Sequence, residues 1–386
     1  MVGANIVSSE RPRRLRLGMV GGGNDAFIGA VHRTAARIDD HFTLLAGALS
    51  STPSRSRESG EALGLDRVYD DYKQMAIREA RLKAGVEVVA IVTPNDSHYP
   101  IAREFLRRGI HVICDKPLTS TLDDANKLLK TVNNNKAIFV LSHNYTCYPL
   151  IRQAREMVTS GYLGQIRVVQ VEYVQDWLTE VVNNKQAEWR TDPMRSGEGG
   201  AIGDIGTHAY NLVRFVTGLK VEQVSADLQA FVVGRLLDDN AHVMLRFEDG
   251  VRGMLWASQV APGNENGLRL RVYGDKGGIE WAQEEPNLMW YTPYGCSTRK
   301  ITRNCAETLE AANRLSRIPP GHPEGYLEGF ANLYSEAAAA IRAFDRGEKV
   351  PLSVTYPTVQ DGLDGMRFIS ACVKSSRGNS RWVKID

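Results

Sequence analysis

The sequence predicts two structural units: an α/β unit with a doubly wound parallel sheet, and an α+β unit with a large, open, mostly antiparallel sheet. Over the first 145 residues, short apolar strands alternate with amphipathic helices. After Pro149 the chain changes to many alternating segments separated by Gly, Asp and Asn, and two helical patterns close it. We therefore expect one domain over 1–145 and a second over 146–386, whose C-terminal helices partly pack back on the first.

The composition is typical of a globular protein with a large core. The chain has 386 residues, 43% of them hydrophobic, and 47 basic against 45 acidic side chains give a formal charge of +2. No global field therefore recruits nucleic acid, and no apolar run reaches the ~20 residues that cross a bilayer. The basic N-terminus lacks the apolar region of a signal peptide. Five scattered cysteines without metal-ligand spacing indicate reduced thiols, so we expect a cytoplasmic protein without a metal site.

The first strand leads directly into a run of glycines. Residues 15–20 are mostly apolar, 21–23 are all glycine, and helical periodicity runs over 28–38. In a strand–turn–helix unit, backbone N–H groups and the positive end of the helix bind a pyrophosphate. The turn is longer than in the simple glycine pattern, because five residues separate Gly23 from Gly29. The pattern predicts a dinucleotide site whose first contacts are Gly21, Gly23, Asn24 and Ile28.

Strands and helices continue to alternate after this turn. Strands are predicted over 42–49, 86–92, 111–114 and 137–141, and helices over 54–63, 101–108 and 122–133. The carboxyl ends of parallel strands meet at one edge of the sheet, where ligands bind. The residues predicted to contact the cofactor from this edge are Thr93, Pro94, Asn95, His98, Asp115, Lys116 and Asn144.

The second strand ends without an acidic residue. A carboxylate at this point would accept hydrogen bonds from the ribose 2′-hydroxyl of NAD. The chain has Ser50 and Ser51 instead, and Arg55 follows five residues after Ser50. Hydroxyl groups and an arginine suit the 2′-phosphate of NADP, so the pattern leans slightly towards NADP over NAD. In the alternative interpretation, the serines cap a helix and the arginine is solvated.

The second half is predicted to form the large open sheet. Its strands are expected over 166–175, 221–233, 241–247, 252–258, 268–273, 278–281 and 288–291. A face bearing Trp256, Tyr273 and Trp281 is expected to pack against core or a subunit interface, so we expect a homodimer or homotetramer formed through this sheet. Residues 295–321 are expected to be irregular, as a lid or mobile loop. The closing helices are predicted over 325–346 and 357–376.

The most informative stretch is the glycine-rich run over 199–211. Asp204 and His208 stand four residues apart at the start of a helical pattern, which brings their side chains to one face if the helix has begun. A carboxylate beside an imidazole fixes its tautomer and raises its basicity, as a general base near neutral pH requires. In the alternative interpretation, Asp204 caps a helix N-terminus and His208 is an ordinary half-buried residue.

Four pieces of sequence follow one another in a specific order. They are the glycine turn with residues 29–32, the run 93–98, the triplet 115–117 and the run 203–211. Together they resemble the glucose–fructose oxidoreductase, inositol dehydrogenase and MocA family, and the resemblance extends from about Leu15 to the C-terminus. The triplet is Asp-Lys-Pro where the family usually has Glu-Lys-Pro, and the last position is Asn211 where the family often has Asp.

The resemblance implies NAD(P)-dependent hydride transfer on a sugar, cyclitol or related polyol, with Lys116, Asp204 and His208 at the reacting carbon. Oxidising a secondary alcohol requires a base for the hydroxyl proton. His208 can accept this proton while Asp204 stabilises the imidazolium, and the Lys116 ammonium can stabilise an alkoxide. The sequence leaves open which of Lys116 and His208 is the formal base. The substrate is expected to contact these three residues together with Tyr145, Arg190, Asn211 and His322.

Three functions are compatible with these residues. The leading one is a cytoplasmic dehydrogenase of a cyclic polyol, such as an inositol or an aldose. The second is an NADPH-dependent reductase of a keto- or anhydro-sugar, which Arg55 and the neighbouring serines favour slightly. The third is a non-catalytic, cofactor-binding regulator of sugar genes, and the complete set of Lys116, Asp204 and His208 argues against it.

Overall fold

The computed structural model describes residues 12–24, 26–182 and 184–385. Six described strands form the first sheet: β1 Leu15–Gly21, β2 Phe42–Ala48, β3 Arg67–Val68, β4 Val88–Val92, β5 His111–Cys114 and β6 Phe139–Leu141. The helices between them are α1 Phe27–Ile38, α2 Pro53–Ala62, α3 Tyr72–Glu79, α4 His98–Leu106 and α5 Leu122–Asn134. The strands lie in the order β3-β2-β1-β4-β5-β6 and every neighbouring pair is parallel. The predicted doubly wound Rossmann arrangement is confirmed.

Burial explains the sequence patterns of this sheet. All five residues of β4 are buried, as expected for a central parallel strand covered by helices on both faces. The short elements β3 and α3 were not predicted, because neither carries a clear apolar period. The start of α3 is fixed by Asp71, whose side chain accepts hydrogen bonds from the backbone N–H groups of Lys73 and Gln74.

Nine described strands form the second sheet. They are β7 Ile166–Val174, β8 Val221–Gln229, β9 Asn240–Phe247, β10 Arg252–Ser258, β11 Gly267–Gly274, β12 Gly277–Ala282, β13 Leu288–Pro293, β14 Arg299–Thr302 and β15 Val383–Lys384. Their order is β14-β13-β12-β11-β7-β10-β9-β8-β15. Neighbours are antiparallel except for β7 and β10, which are parallel. The prediction of a large, mostly antiparallel sheet is confirmed.

The remaining helices connect the two sheets. They are α6 Pro149–Thr159, α7 Lys185–Arg190, α8 Pro193–Ser196, α9 Thr207–Thr217, α10 Glu310–Asn313, α11 Tyr326–Asp345 and α12 Val359–Arg377. Helices α9 and α12 pack on the second sheet, whereas α11 packs against α1 and α12 also reaches α5. The domain boundary at residue 145 stays a prediction. Among the described helices, none combines the length and the apolar character needed to cross a membrane.

The three aromatic residues expected on one face of the second sheet lie on two faces. Trp281 is buried, whereas Trp256 and Tyr273 are half-buried. The register of the neighbouring strands places the side chains of Trp256, Arg269 and Ala282 on one face of the sheet. Trp281 directly precedes Ala282, so its side chain lies on the opposite face. The expectation that all three share a face was therefore wrong.

The segment 295–321 is more regular than expected, since it contains β14 and α10. Buried Arg303 organises it: the guanidinium donates hydrogen bonds to the carbonyls of Ile318, Pro319 and His322, and it pairs with buried Glu324 at 2.9 Å. A buried ion pair surrounded by further hydrogen bonds holds its segment in one arrangement. The expected lid is thus a structured part of the second unit.

Candidate active site

The glycine turn after β1 leaves room for close approach of a ligand. Gly21 and Gly22 have φ values of +80° and +72°, which residues other than glycine rarely adopt. A Cβ atom on Gly29 would overlap the Cα atom of Gly22, so helix α1 can pack against the turn only with glycine at this position. The N-cap residue Ala26 offers no side-chain hydrogen bond, and the first turn of α1 carries no acidic residue. This geometry fits a pyrophosphate bound by backbone N–H groups.

Two buried amides at the edge of the sheet also fit a polar ligand. Asn95 donates a hydrogen bond to the carbonyl of Ser196, but its Oδ1 atom has no partner among the described residues. The Nδ2 atom of buried Asn144 likewise has no partner in the described chain. Because unpaired buried amide atoms are costly, a ligand that pairs with them would gain affinity. These residues fit the predicted dinucleotide.

His98 connects two loops at the same edge of the sheet. Its ring nitrogens lie 2.9 Å from the carbonyl oxygens of Thr93 and Pro117, which follow β4 and β5. His98 is fully buried, so its side chain connects the two loops instead of offering a nitrogen to the cofactor. Its predicted contact with the cofactor stays a prediction. Pro94, beside Thr93, begins the 3₁₀ turn that leads into α4.

The residues after β2 lie at the surface. Ser50 is half-buried and accepts a hydrogen bond of 3.1 Å from the backbone N–H of Thr52, while Ser51 and Arg55 are exposed. Thr52 is the N-cap of α2 but makes no capping hydrogen bond with its side chain. This leaves the first turn of α2 open to an anion, with the cation of Arg55 on the same turn.

Helix α2 also supports the glycine turn. Asn24 donates a backbone hydrogen bond of 3.3 Å to the hydroxyl of Ser59, and a Cβ atom on Gly23 would come within 2.8 Å of that hydroxyl. Ile28 is half-buried in the first turn of α1. The predicted contacts Gly21, Gly23, Asn24 and Ile28 thus lie around one turn, although their contact with a cofactor stays a prediction.

The glycine-rich run before α9 folds as a π-helix over Ile202–Gly206. The carboxylate of Asp238 anchors its start by accepting hydrogen bonds from the backbone N–H groups of Gly200 at 2.7 Å and Ile202 at 2.8 Å. A π-turn bonds residue i to i+5, so it is wider than an α-turn and side chains four residues apart are no longer aligned. This local geometry separates the side chains of Asp204 and His208.

Asp204 pairs with cations and an amide. The Lys116 ammonium lies 2.8 Å from Oδ1 of Asp204 and 2.6 Å from its carbonyl oxygen. Gln259 donates to Oδ2 at 2.9 Å, and Nε of Arg190 lies 3.3 Å from the same oxygen. Burial alone would raise the pKa of Asp204, but the charges of Lys116 and Arg190 outweigh it and hold this pKa well below its usual value. Asp204 is therefore a carboxylate at every ordinary pH.

His208 pairs with a second histidine. Its Nδ1 atom lies 3.3 Å from Nδ1 of His143, and the ring of Tyr145 meets the His208 ring edge-on at 4.8 Å. Burial lowers the pKa of His208 well below its usual value, and the nearby charge of Lys116 adds to the effect. The expected pairing of Asp204 with His208 is wrong: the Asp204 carboxylate is engaged by Lys116, Arg190 and Gln259, and His208 faces His143.

The backbone of Lys116 is fixed by the neighbouring residue Asp115. Asp115 accepts hydrogen bonds from the backbone N–H of Lys116 at 2.9 Å and from the Ser142 hydroxyl at 2.5 Å. The Asp115 carboxylate thus ties the loop after β5 to the loop after β6. An ammonium has three donors, and Asp204 occupies two of those of Lys116, so one remains for a substrate oxygen.

The other predicted substrate residues have different positions. Tyr145 is buried beside His208 and its hydroxyl lies 2.6 Å from that of Tyr173, which donates to Asn266. Asn211 is buried and its Oδ1 atom has no partner among the described residues. The side chain of His322 is exposed, and its described hydrogen bonds are backbone contacts with Arg303 and Pro319. The structure thus brings together Lys116, Asp204 and Arg190, and it places Tyr145 beside His208. For Asn211 and His322, contact with the substrate stays a prediction.

The sequence analysis missed two residues of this cluster, Tyr173 and Gln259, and it did not predict the pairing of His143 with His208. His143 directly precedes Asn144 at the predicted sheet edge, so the strand-end signal covered it. Tyr173 and Gln259 lie at the ends of β7 and β10, which are parallel neighbours inside an otherwise antiparallel sheet. No local pattern marks that pairing.

Comparisons with known proteins agree with this geometry. Residues 15–143 match the family model described as "Oxidoreductase family, NAD-binding Rossmann fold", and residues 151–280 match "GFO/IDH/MocA C-terminal domain". A Bacillus subtilis protein named "Uncharacterized oxidoreductase YfiI" is 34% identical over 391 residues, which cover 99% of this chain and 98% of that protein.

Two solved structures are similar over almost the whole length. An oxidoreductase from Sinorhizobium meliloti is 60% identical with a TM-score of 0.90, and the match covers 97% of this chain and 100% of the other. An inositol dehydrogenase homolog from Azotobacter vinelandii, complexed with NADH and myo-inositol, is 34% identical with a TM-score of 0.92. That match covers 96% of this chain and 98% of the other.

Proposed function

The chain belongs to the Gfo/Idh/MocA oxidoreductase family, and from this premise we propose that it is a dehydrogenase of a cyclic polyol, either an inositol-like cyclitol or a sugar. The observation that carries the proposal is the Lys116–Asp204 ion pair, with 14% of each side chain accessible, next to His208. A neutral imidazole and an ammonium beside one another suit the removal of a hydroxyl proton, whereas a pure binding protein does not need them. The similarity to an inositol dehydrogenase homolog supports the cyclitol class.

The residues divide the reaction among themselves. The nicotinamide ring supplies the hydride acceptor when the dinucleotide is bound, and the glycine turn, Asn95 and Asn144 would hold that dinucleotide. His208 accepts the proton of the substrate hydroxyl, since its lowered pKa keeps the imidazole neutral. The remaining donor of Lys116 stabilises the negative charge that develops on the substrate oxygen. Asp204 keeps the ammonium in place and also binds Gln259.

A substrate panel tests this proposal. Purified protein is incubated with inositols, aldoses and anhydro-sugars in the presence of NAD or NADP, and the absorbance of reduced nicotinamide is followed. We expect turnover on at least one cyclic polyol, and His208→Ala should lower kcat by the ~10²–10⁴-fold typical of general acid–base catalysis. Dinucleotide binding without turnover of any of these compounds, in either direction, would instead support the regulator alternative.

The choice of cofactor follows from the end of β2. We propose a slight preference for NADP, which would also suit the alternative function, an NADPH-dependent reductase of a keto- or anhydro-sugar. The supporting observation is the exposed cation of Arg55 beside Ser50 and the uncapped start of α2. Arg55→Ala should weaken NADP binding by about 1–3 kcal/mol and leave NAD binding unchanged.

The matched control for this test is Arg57→Ala. Arg57 is exposed on the same helix but pairs with Asp70 at 2.7 Å, so its removal should affect both cofactors equally and weakly. Isothermal titration of the wild-type protein and both variants with the two oxidised cofactors measures the six affinities. Equal losses of NAD and NADP affinity in Arg55→Ala would contradict the preference.

We also propose a homodimer or homotetramer that forms through the outer face of the second sheet. This face exposes Val168, Met244, Met254 and Trp290, each at least 41% accessible. Light scattering should give a multiple of the chain mass, and Met254→Lys should reduce it. A monomer in the wild-type protein would contradict this proposal.

The buried thiols Cys114, Cys147 and Cys372 support a reducing, cytoplasmic location.

A further inference from the structure

We propose that His143 is a positioning residue: it accepts a hydrogen bond from Nδ1–H of His208 and thereby keeps Nε2 of His208 unprotonated. The unprotonated Nε2 is the atom that accepts the substrate proton, so the inference rests on the proposed function. It assigns to His143 the task that a carboxylate performs in a carboxylate–histidine pair.

The geometry of the two rings carries the proposal. The Nδ1 atoms of His143 and His208 are 3.3 Å apart, and the ring planes are nearly perpendicular at 84°. Both side chains are buried, with 1% and 6% of their surfaces accessible. Two nitrogens at this distance can share one hydrogen but not two, so one ring donates and the other accepts.

The direction of the hydrogen bond follows from the chemistry. When His208 accepts a proton at Nε2, it becomes an imidazolium and carries hydrogens on both nitrogens. Its Nδ1–H must then point at an acceptor, and Nδ1 of His143 is the atom that lies there. If His143 were the donor, proton uptake by His208 would place two hydrogens between the same nitrogens. Only the arrangement with His143 as acceptor is compatible with His208 as the base.

The surroundings keep His143 neutral. Burial lowers the pKa of His143 to about 3 and the charge of Lys116 adds to this, while Asp115 opposes it. At neutral pH, His143 therefore retains a lone pair with which to accept the hydrogen bond. The titratable groups that face the pair are Asp115, Lys116, Tyr145 and Tyr173. Asp204 and Tyr326 lie near these two tyrosines.

The engagement of Asp204 explains why a histidine fills this position. The Asp204 carboxylate is bound by Lys116, Gln259 and Arg190. A neutral acceptor at Nδ1 also raises the basicity of His208 less than a second carboxylate would. Such an arrangement sets the tautomer of His208 without adding negative charge beside the ammonium.

Nitrogen-15 NMR of histidine-labelled protein, combined with steady-state kinetics, tests the proposal. The His208 signals are assigned by comparison with His208→Gln, and their chemical shifts report which ring nitrogen carries the hydrogen. His143→Asn retains an acceptor oxygen near the position of Nδ1, whereas His143→Leu removes it. His111→Leu is the matched control, because His111 is a buried histidine at the start of β5, at the opposite edge of the sheet.

We expect His208 to be protonated at Nδ1 in the wild-type protein and in His143→Asn, and to lose this preference in His143→Leu. The kcat of His143→Leu should fall about 10- to 100-fold with KM and cofactor affinity unchanged, less than the ~10²–10⁴-fold cost of losing the base itself. His143→Asn should restore most of kcat, and His111→Leu should leave it unchanged.

Protonation of His208 at Nε2 in the wild-type protein would overturn the proposal, and so would full kcat in His143→Leu. The wild-type spectrum decides the first point even where a variant does not fold. If no polyol is oxidised at all, the proposed function fails, but the same spectrum still tests the hydrogen bond between the two histidines.

Discussion

The two ends of the candidate site are built in different ways. At the cofactor end, residues 21–24 and 26–29 form one turn whose backbone N–H groups are proposed to bind the dinucleotide, and its geometry requires glycines, which have no side chain. At the reaction end, Lys116, His143, Asp204 and Gln259 come from four separate segments and meet in a largely buried cluster. The first end therefore depends on space and the second on charge. Substitutions at one end should leave the property governed by the other end intact.

The largest effect is expected for Lys116→Met. The methionine has about the same length but no charge and no donors, and it leaves the Asp204 carboxylate without its closest cation. Turnover should fall about 10³-fold or more, because both alkoxide stabilisation and the position of Asp204 are lost. Because Lys116 is also a predicted cofactor contact, steady-state kinetics and a dinucleotide titration should show a loss of kcat that is much larger than the loss of cofactor affinity. Lys127→Met, an exposed lysine on α5, is the control. A loss of cofactor affinity as large as the loss of kcat, seen in Lys116→Met alone, would contradict the division into two ends.

Asp204→Asn should have the next largest effect. The substitution keeps the shape and removes the charge that holds Lys116, so kcat should fall about 10²-fold. Because the pKa of Asp204 is held far below neutral, its charge is constant over ordinary pH, and the ratio of wild-type to variant kcat should stay constant from about pH 6 to 8. Kinetics across this range measure the ratio. A ratio that changes tenfold would show that Asp204 titrates with the substrate bound.

Gly29→Ala addresses the cofactor end. The added methyl group overlaps Gly22, so α1 must move away from the turn. Overpacking of this kind costs about 1–3 kcal/mol, which we expect to appear as about 10- to 100-fold weaker dinucleotide binding with near-normal kcat at saturation. Ala30→Ser, an exposed neighbour on α1, is the control. Unchanged cofactor affinity in Gly29→Ala would show that the turn does not bind the pyrophosphate.

The smallest effect is expected on the stability of the protein in acid, to which the two buried histidines of the reaction end contribute. The folded-state pKa values of His143 and His208 are lowered, so the unfolded chain binds protons first as the pH falls below about 6.5. Each histidine should then reduce the free energy of unfolding by roughly 1.4 kcal/mol per pH unit until its folded-state pKa is reached. The midpoint temperature of thermal unfolding should decrease as the pH is lowered from about 7 to 5.5. This decrease should be smaller in His143→Asn. An identical pH dependence in that variant would contradict the lowered pKa of His143.

The cofactor end could be predicted from the sequence because its signals are local. Strand β1, the glycines and α1 follow one another, and the periodicity of the chain marks each of them. The same holds for the strand ends that carry Asn95, Lys116 and Asn144. The short β3 and the regular structure within 295–321 were missed, because two-residue strands and contacts of a buried arginine leave no periodic pattern.

The reaction end could be predicted only as a set of residues. The resemblance pointed to Lys116, Asp204 and His208, but the spacing argument assumed an α-helix where the chain forms a π-turn. The partner of His208 was missed because His143 lies 65 residues away in the sequence. Tertiary contacts between segments, and not local propensity, decide which charges meet.

Helix α11 has a consequence for how the chain is made. Its residues Phe330, Leu333 and Tyr334 share one buried core with β1 and α1, and the Tyr334 hydroxyl lies 2.9 Å from Nδ1 of His32. Synthesis reaches α11 about 180 residues after β6, or about 10–40 s later at typical rates of translation. During that interval the nascent first unit exposes the apolar surface that α11 will cover. An exchange of the dinucleotide-binding half between two relatives therefore has to include α11 as well.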